Sequence, residues 1–361
     1  MMLELPDLPS GISPEFLTRI LREASNLSEL SRVTSAHWHP IAEGTGMLAD
    51  IVRIEVIYEG RREGLPDSFI AKFACNNETN RTIAQQYNVY EREVRFFQEM
   101  APQIPVATPR IYFSALCDDK FLLLMEDLTA AQVGSQSDGA TLAQTEAAVD
   151  ELINLHATFW ENTAPIDWVP GIANSFHAVH MHDLAHAGWH NMIEMFDVPE
   201  YVGRYRTQFL KFIPDLQAAC MAGPTTLTHG DFRAANLLYG TRQNHPVVTV
   251  IDWQGLLKAH GMIDFALFVG QSTRTEVRRQ HEQSLLERYV AGLTRAGIKQ
   301  VDLSSMWDRY RLGILYNWVY TAVVAGSLDV ANEKSFEWIS HMIARQIAAS
   351  DDLGVFDLLG S

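Results

Sequence analysis

The stretch His229-Gly230-Asp231-Phe232-Arg233-Ala234-Ala235-Asn236, followed further along by Val250-Ile251-Asp252-Trp253-Gln254, decides how this chain is read. It sets out an aspartate, an asparagine five positions later, and a second aspartate beyond a short apolar run. Asparagine and aspartate beside glycine are common turn formers, so any one of them alone reads as structural. In this order and spacing they supply one carboxylate able to take a proton and two hard oxygen ligands suited to Mg²⁺. Those are the groups a phosphoryl transfer between oxygens requires.

Around that stretch lies enough chain to build a body. The protein has 361 residues, 47% of them hydrophobic and 20% charged, which is ordinary globular material for one large domain or two lobes. The formal net charge is -16, from 44 acidic side chains against 28 Lys and Arg. A basic surface for nucleic acid is therefore not expected, and the acidity reads first as a solubility feature. Cys75, Cys117 and Cys220 are odd in number and have no C-x-x-C spacing, so they read as reduced structural thiols. The beginning of the chain has no basic region followed by an apolar one, and a cytoplasmic address is the default expectation. The longest apolar stretch, residues 313–328, is too short for a bilayer and is interrupted by Asn317, so no membrane span is expected. Nothing in the sequence sets an oligomeric state.

Periodicity changes character near residue 128. Ser13 and Pro14 signal a helix start. Strand-like runs then follow at 33–41, 51–58, 68–75, 111–116 and 121–125, which predict a mostly antiparallel sheet. Between the third and fourth runs, Tyr87, Tyr90, Val94 and Phe97 recur at helical spacing and predict one helix over 83–100, packed on that sheet. Beyond residue 140 the pattern is helical. Leu152, Leu155, His156, Phe159 and Trp160 mark one face, and further helices are expected near 198–220, 275–297, 302–326 and 332–349. The polar run 134–139 predicts a loop.

A strand-rich first part and a helical second part carrying the opening motif make a resemblance specific. Between Glu43 and Asp264 the sequence resembles the aminoglycoside phosphotransferase and choline kinase superfamily, and within it is most similar to the ecdysteroid-kinase-like (CHK-like) branch. The resemblance implies an α+β, two-lobed, protein-kinase-like fold. Residues 1–128 would form a nucleotide-binding N-lobe, an antiparallel sheet plus a helix. Residues 129–361 would form a mainly α-helical C-lobe with the catalytic loop, metal site and acceptor pocket, the hinge falling at 126–129. The implied cofactors are ATP and Mg²⁺, and the implied partner is a small hydroxylated substrate.

The resemblance also assigns roles. Asp231 would orient the acceptor hydroxyl and take its proton, and Asn236 and Asp252 would hold Mg²⁺. Arg233 stands two residues after the base, where it could stabilise the equatorial oxygens in flight, or pair with a carboxylate, or face solvent. His229 would hold backbone carbonyls, Asp264 would cap a helix and brace the loop, and His156 reads as a satisfied core histidine. In the N-lobe, Gly44 and Gly46 would let a loop approach phosphate, although Ala49 stands where a third glycine is expected. Lys72 would contact the α- and β-phosphates and pair with Glu93, with Glu91 as competitor, while an exposed edge-strand lysine is the bland alternative. The backbone from Glu126 to Leu128 would meet the adenine edge, while the Glu126 and Asp127 side chains would cap a helix or fix the hinge.

The acceptor is least constrained. The A-P-E signature of protein kinases is missing and the base is preceded by glycine rather than arginine, so a small-molecule alcohol is expected. The ecdysteroid-kinase-like branch, together with aromatics such as Trp160, Trp168, Trp189, Trp318 and Tyr320, suggests a lipophilic one, though most of those rings read as core. Aminoglycosides, choline and hydroxyacyl-CoA thioesters compete. A non-catalytic pseudokinase or scaffold is disfavoured because the base, metal and lysine positions are all filled.

Overall fold

In a computed structural model, the described residues are 4–24, 27–41, 48–60, 64–173, 175–240, 248–326 and 333–360. The chain forms an α+β fold in two compact units, Met1–Gln103 with Thr108–Ala131 and Ile104–Ala107 with Gln132–Ser361.

The first unit begins with helix α1 (Pro14–Glu23), whose cap is built as its sequence dictates. The Ser13 hydroxyl accepts from the Phe16 amide at 3.1 Å, and proline, which lacks the donor that this position would leave unpaired, opens the helix. There follow β1 (Arg32–Pro40), β2 (Ala49–Glu59), β3 (Ser68–Ala74), α2 (Glu78–Gln86), α3 (Val89–Arg95), β4 (Ile111–Cys117) and β5 (Lys120–Glu126). The five strands form one antiparallel sheet in the order β1-β2-β3-β5-β4. β3 and β5 are interior strands and bury most of their side chains, which is why they read as apolar runs rather than as alternation. Leu17, Ile20 and Leu21 of α1 join Ile54, Phe69, Phe73, Leu122 and Leu124 in one core.

The helix expected over 83–100 is broken. Asn77 caps α2, the chain turns at Tyr87 and Asn88, and α3 restarts before a widened turn at Phe96–Met100. Asn88 adopts a left-handed φ of 52°, a conformation asparagine tolerates better than most residues. The break frees the Tyr87 carbonyl, which accepts from the buried Arg92 Nε at 3.1 Å. Tyr90, Val94 and Phe97 still face inward, so the periodicity held while the axis did not.

The second unit comprises β6 (Gln132–Val133), α4 (Leu142–Phe159), α5 (Phe176–Met195), α6 (Glu200–Met221), β7 (Thr226–Thr228), β8 (Leu237–Tyr239), β9 (Val248–Val250), β10 (Leu257–Ala259), α7 (Met262–Leu267), α8 (Thr275–Arg295), α9 (Leu303–Gly326) and α10 (Glu333–Leu353). Two small sheets, β6-β8-β9 and β10-β7, sit among the helices. Helix α9 packs against α5, α6, α7, α8 and α10 and is buried around most of its circumference, so it shows almost no amphipathic stripe. Among the described residues no helix is long and apolar enough to cross a membrane.

Helix α5 was not foreseen. Its buried positions are Ala178, Ala185, Gly188, Trp189 and Met192, mostly small residues among histidines, which give a weak hydrophobic signal. Those small residues let two backbones meet: a Cβ at Gly188 would lie 2.1 Å from the Ala322 carbonyl oxygen and 3.1 Å from the Gly326 Cα. Replacing a helical glycine by alanine ordinarily stabilises by about 0.5–1 kcal/mol. At Gly188 the sign reverses, and Gly188→Ala is expected to cost about 1–3 kcal/mol in urea unfolding, because α5 and α9 must separate.

Candidate active site

In the second unit, residues 229–236 link β7 to β8, and residues 251–256 link β9 to β10. Pairing of Leu237 with Val250, and the Ile251 amide donating to the Asn236 carbonyl at 3.0 Å, bring Asn236 and Asp252 to adjoining strand ends. The two links cross at Gly230, which has φ 77° and where a Cβ would stand 1.9 Å from the Gly255 carbonyl oxygen. Only glycine meets both demands, which accounts for the glycine before Asp231.

Below the crossing the loop is tied down from inside. Asp264, fully buried on α7, accepts from the amides of His229 at 2.6 Å and Gly230 at 3.0 Å. Its Oδ2 also lies 3.3 Å from His156 Nε2, and His156 Nδ1 lies 2.8 Å from the Tyr289 hydroxyl. His156 is thus a satisfied core histidine. Asp264 sits inside α7, whose N-cap is Gly261, so it braces the loop without capping the helix. His229 Nε2 is 3.0 Å from the Ile251 carbonyl, and its Nδ1 accepts from the Asp231 amide at 3.3 Å, which assigns the proton to Nε2.

Asp231 itself is surrounded by donors. The Tyr320 hydroxyl donates to Oδ1 at 2.6 Å, and Arg233 Nε lies 3.2 Å from each carboxylate oxygen. Asn236 Nδ2 donates to Oδ2 at 3.0 Å and to the Asp231 carbonyl at 2.8 Å. The Arg233 guanidinium stacks on Trp338 of α10, 5.0 Å from the ring centre. Burial works against its charge, but Asp231, Tyr320 and Asp252 outweigh that and raise its pKa, so Arg233 stays a cation. Burial, reinforced by the negative charge of Asp231, pushes the Tyr320 phenol well above its ordinary value, so it remains a donor. With Nδ2 committed, Asn236 Oδ1 carries no hydrogen bond among the described residues. Asp252 takes a left-handed φ of 67°, and Gln254 Nε2 stands 3.4 Å from its Oδ2.

The first unit contains a charge pair that is almost wholly buried. Lys72 Nζ is 2.7 Å from Glu93 Oε2 and 3.0 Å from Oε1, and both residues are almost wholly buried. Glu91 turns instead towards Arg95, at 3.8 Å. Lys72 is on an interior strand, with Ile51 and Leu123 as register partners, so the edge-strand alternative does not apply. Gly44 and Gly46 lie outside the described residues. Glu126 ends β5, where its amide donates to the Arg110 carbonyl at 2.8 Å, and Leu128 is buried. Between them Asp127 accepts from Arg53 Nε at 2.6 Å, Ser68 Oγ at 2.5 Å and Thr129 Oγ1 at 2.6 Å. Burial alone would raise the Asp127 carboxyl, but the bonds from Ser68, Thr129 and Arg53 outweigh it and hold the group far below the usual range.

Trp338 and the contact made by Tyr320 are the parts that sequence reasoning missed. Both side chains come from helices far along the chain, and no short spacing links them to residues 229–236. Tyr320 was visible only as one aromatic among several. Of the rest, Trp189, Trp253 and Trp318 are fully buried core, whereas Trp168 is half-buried.

Solved structures share this architecture. A provisionally assigned aminoglycoside phosphotransferase from Ralstonia eutropha jmp134 superposes with a TM-score of 0.58 at 13% identity, over 95% of this chain and 98% of that one. Choline kinase from Cryptosporidium parvum Iowa II gives 0.56 at 11% identity, over 97% and 100%. The GDP complex of wild-type aminoglycoside 2'-phosphotransferase-IIIa gives 0.52 at 14% identity, over 94% and 98%. At such identities the likeness is one of fold, and it defines the class as a kinase-like α+β protein. No curated protein matches in sequence. The chain belongs to the ecdysteroid kinase-like family, whose profile matches residues 43–301.

Removing one member of a buried ion pair strands the other, so Glu93→Ala is expected to cost about 3–5 kcal/mol in denaturant unfolding, more than Lys72→Met, which leaves an apolar stem in its place. Asp127 has a depressed folded-state pKa, so its contribution is present above the unfolded carboxyl value and is lost as pH falls towards the folded one. Asp127→Asn should therefore destabilise by on the order of 1 kcal/mol at neutral pH, after allowing for solvent screening. The gap from wild type should narrow below about pH 4, which melting curves across pH would reveal.

Proposed function

We propose that the protein is an ATP-dependent small-molecule kinase that passes the γ-phosphate to the hydroxyl of a lipophilic alcohol. The observation that carries this reading is Asp231, held between Tyr320, Arg233 and Asn236, with Asn236 and Asp252 at adjoining strand ends. Asp231 is the base. The acceptor oxygen forms a bond to the γ-phosphorus, the bond to the β,γ-bridging oxygen breaks, and the hydroxyl proton goes to the Asp231 carboxylate. Arg233 lends positive charge to the transferring group.

Asn236 and Asp252 fit Mg²⁺, since one offers an amide oxygen without a hydrogen bond and the other a carboxylate, both hard ligands. Among the described residues no cluster of three or more His, Cys, Asp or Glu is placed to hold a metal by itself. A Mg²⁺ ion held by these two residues would complete its shell from phosphate oxygens and water, and would neutralise the developing phosphate charge. In the first unit Lys72, kept in place by Glu93, is the ligand for the α- and β-phosphates, and the backbone of Glu126 to Leu128 reads the adenine edge. The GDP complex of the aminoglycoside 2'-phosphotransferase supports a purine nucleotide as donor.

The aromatic sides of Tyr320 and Trp338 favour a lipophilic acceptor.

Mg-ATP turnover against steroid alcohols, aminoglycosides, choline and hydroxyacyl-CoA thioesters tests the reading. Asp231→Asn should lower turnover with the best acceptor by about 10²–10⁴-fold while Mg-ATP affinity stays near wild type. Full turnover in Asp231→Asn would remove Asp231 from the role of base.

A further inference from the structure

An acceptor alcohol must donate its hydroxyl proton to the Asp231 carboxylate, and one hydroxyl already does so. The Tyr320 phenol donates to Oδ1 at 2.6 Å, the shortest of the bonds that carboxylate accepts. The other donors, Arg233 and Asn236, come from the same loop as Asp231, whereas Tyr320 reaches it from α9. The meeting point is not sealed. The Asp231 side chain keeps 22% of its exposure, Arg233 keeps 18%, and Tyr320 is half-buried, so water reaches the neighbourhood of the base. On the far side of Arg233, the Trp338 ring closes one approach.

A kinase whose base is wetted faces a standing competitor. Water is smaller than any acceptor, is always present, and can take the γ-phosphate itself. In that side reaction the water oxygen bonds to the γ-phosphorus and the bond to the β,γ-bridging oxygen breaks. The water proton passes to Asp231 and on to solvent, leaving ADP and inorganic phosphate. A side chain that fills the hydrogen-bonding position on the base until a true acceptor arrives would suppress this loss.

We propose that Tyr320 is that placeholder: its hydroxyl occupies the position on Asp231 Oδ1 that the acceptor hydroxyl takes, and it withdraws only when an acceptor with enough further binding energy displaces it. The inference rests on Asp231 being the base, as argued above. Tyr320 is a positioning residue that acts through Asp231. The phenol is suited to the task because burial and the nearby carboxylate keep it protonated, so it holds the base without becoming a competing nucleophile. Displacement couples the site to the rest of the acceptor, since a small alcohol has too little surface to repay the lost bond, whereas a bulky lipophilic one does.

Phosphate release from Mg-ATP in the absence of any acceptor is the experiment, measured on wild type, Tyr320→Phe, Asp231→Asn and the double variant, each checked for folding by its melting curve. Tyr320→Phe should hydrolyse ATP about tenfold faster than wild type, a part of the 10²–10⁴ that a general base contributes. The gain should vanish in the double variant, which a merely loosened structure would not require. Tyr320→Leu, which also lacks the hydroxyl and opens more room, should gain at least as much. No gain in either variant, or a gain that survives Asp231→Asn, overturns the placeholder. Calorimetric titration of wild type with Mg-ATP separates the two levels. Absence of binding would sink the kinase reading and the placeholder with it, whereas binding without a gain in the variants sinks the placeholder alone.

Discussion

A buried carboxylate in the second unit, Asp264, holds the loop on which the candidate chemistry depends. A charge with no exposure is costly unless each lone pair is used, and Asp264 uses its oxygens on the amides of His229 and Gly230 and on His156. His156 is held in turn by Tyr289, whose phenol burial keeps protonated. Residues from α4, α7 and α8 therefore converge on two successive backbone amides. With those amides pinned, the crossing at Gly230 is set, His229 locks against the Ile251 carbonyl, and Asp231 points to where Tyr320 and Asn236 can reach it.

The first unit solves the opposite problem. Lys72 stands in the middle of an apolar sheet, where an unpaired ammonium would be intolerable, and Glu93 answers it from α3 with two contacts. The break at Asn88 starts α3 afresh, on an axis of its own, just ahead of Glu93. What looked like an interruption of a regular helix precedes the turn from which Glu93, and not Glu91, reaches the lysine. Local irregularity and a charged side chain go together here, as they do at Asp252 in the second unit, whose backbone is also left-handed.

Much of this was legible because the signals are local. The five strands show as apolar or alternating runs, the Ser13 and Pro14 start obeys capping chemistry, α6 and α10 carry periodic apolar positions, and α9 shows as one long apolar stretch. Failures had local causes too. α5 hides its packing face in alanine and glycine, β7 to β10 are three residues each, too short for any period, and the turn at Asn88 leaves the spacing of Tyr90, Val94 and Phe97 intact on either side.

By itself the sequence determined the kinds of chemical group available and their order along the chain: one carboxylate, an amide five positions on, a second carboxylate, and a lysine in an apolar strand. It determined the α+β class for the same reason, since hydrophobic periodicity is a property of neighbours in the chain. Only the tertiary structure decided which partners those groups meet. Tyr320 lies 89 positions from Asp231, and Trp338 reaches Arg233 from a different helix again. Contacts of that range depend on how α9 and α10 pack, and packing depends on volumes and close approaches, such as Gly188 against Ala322, that leave no mark in the residues around position 231.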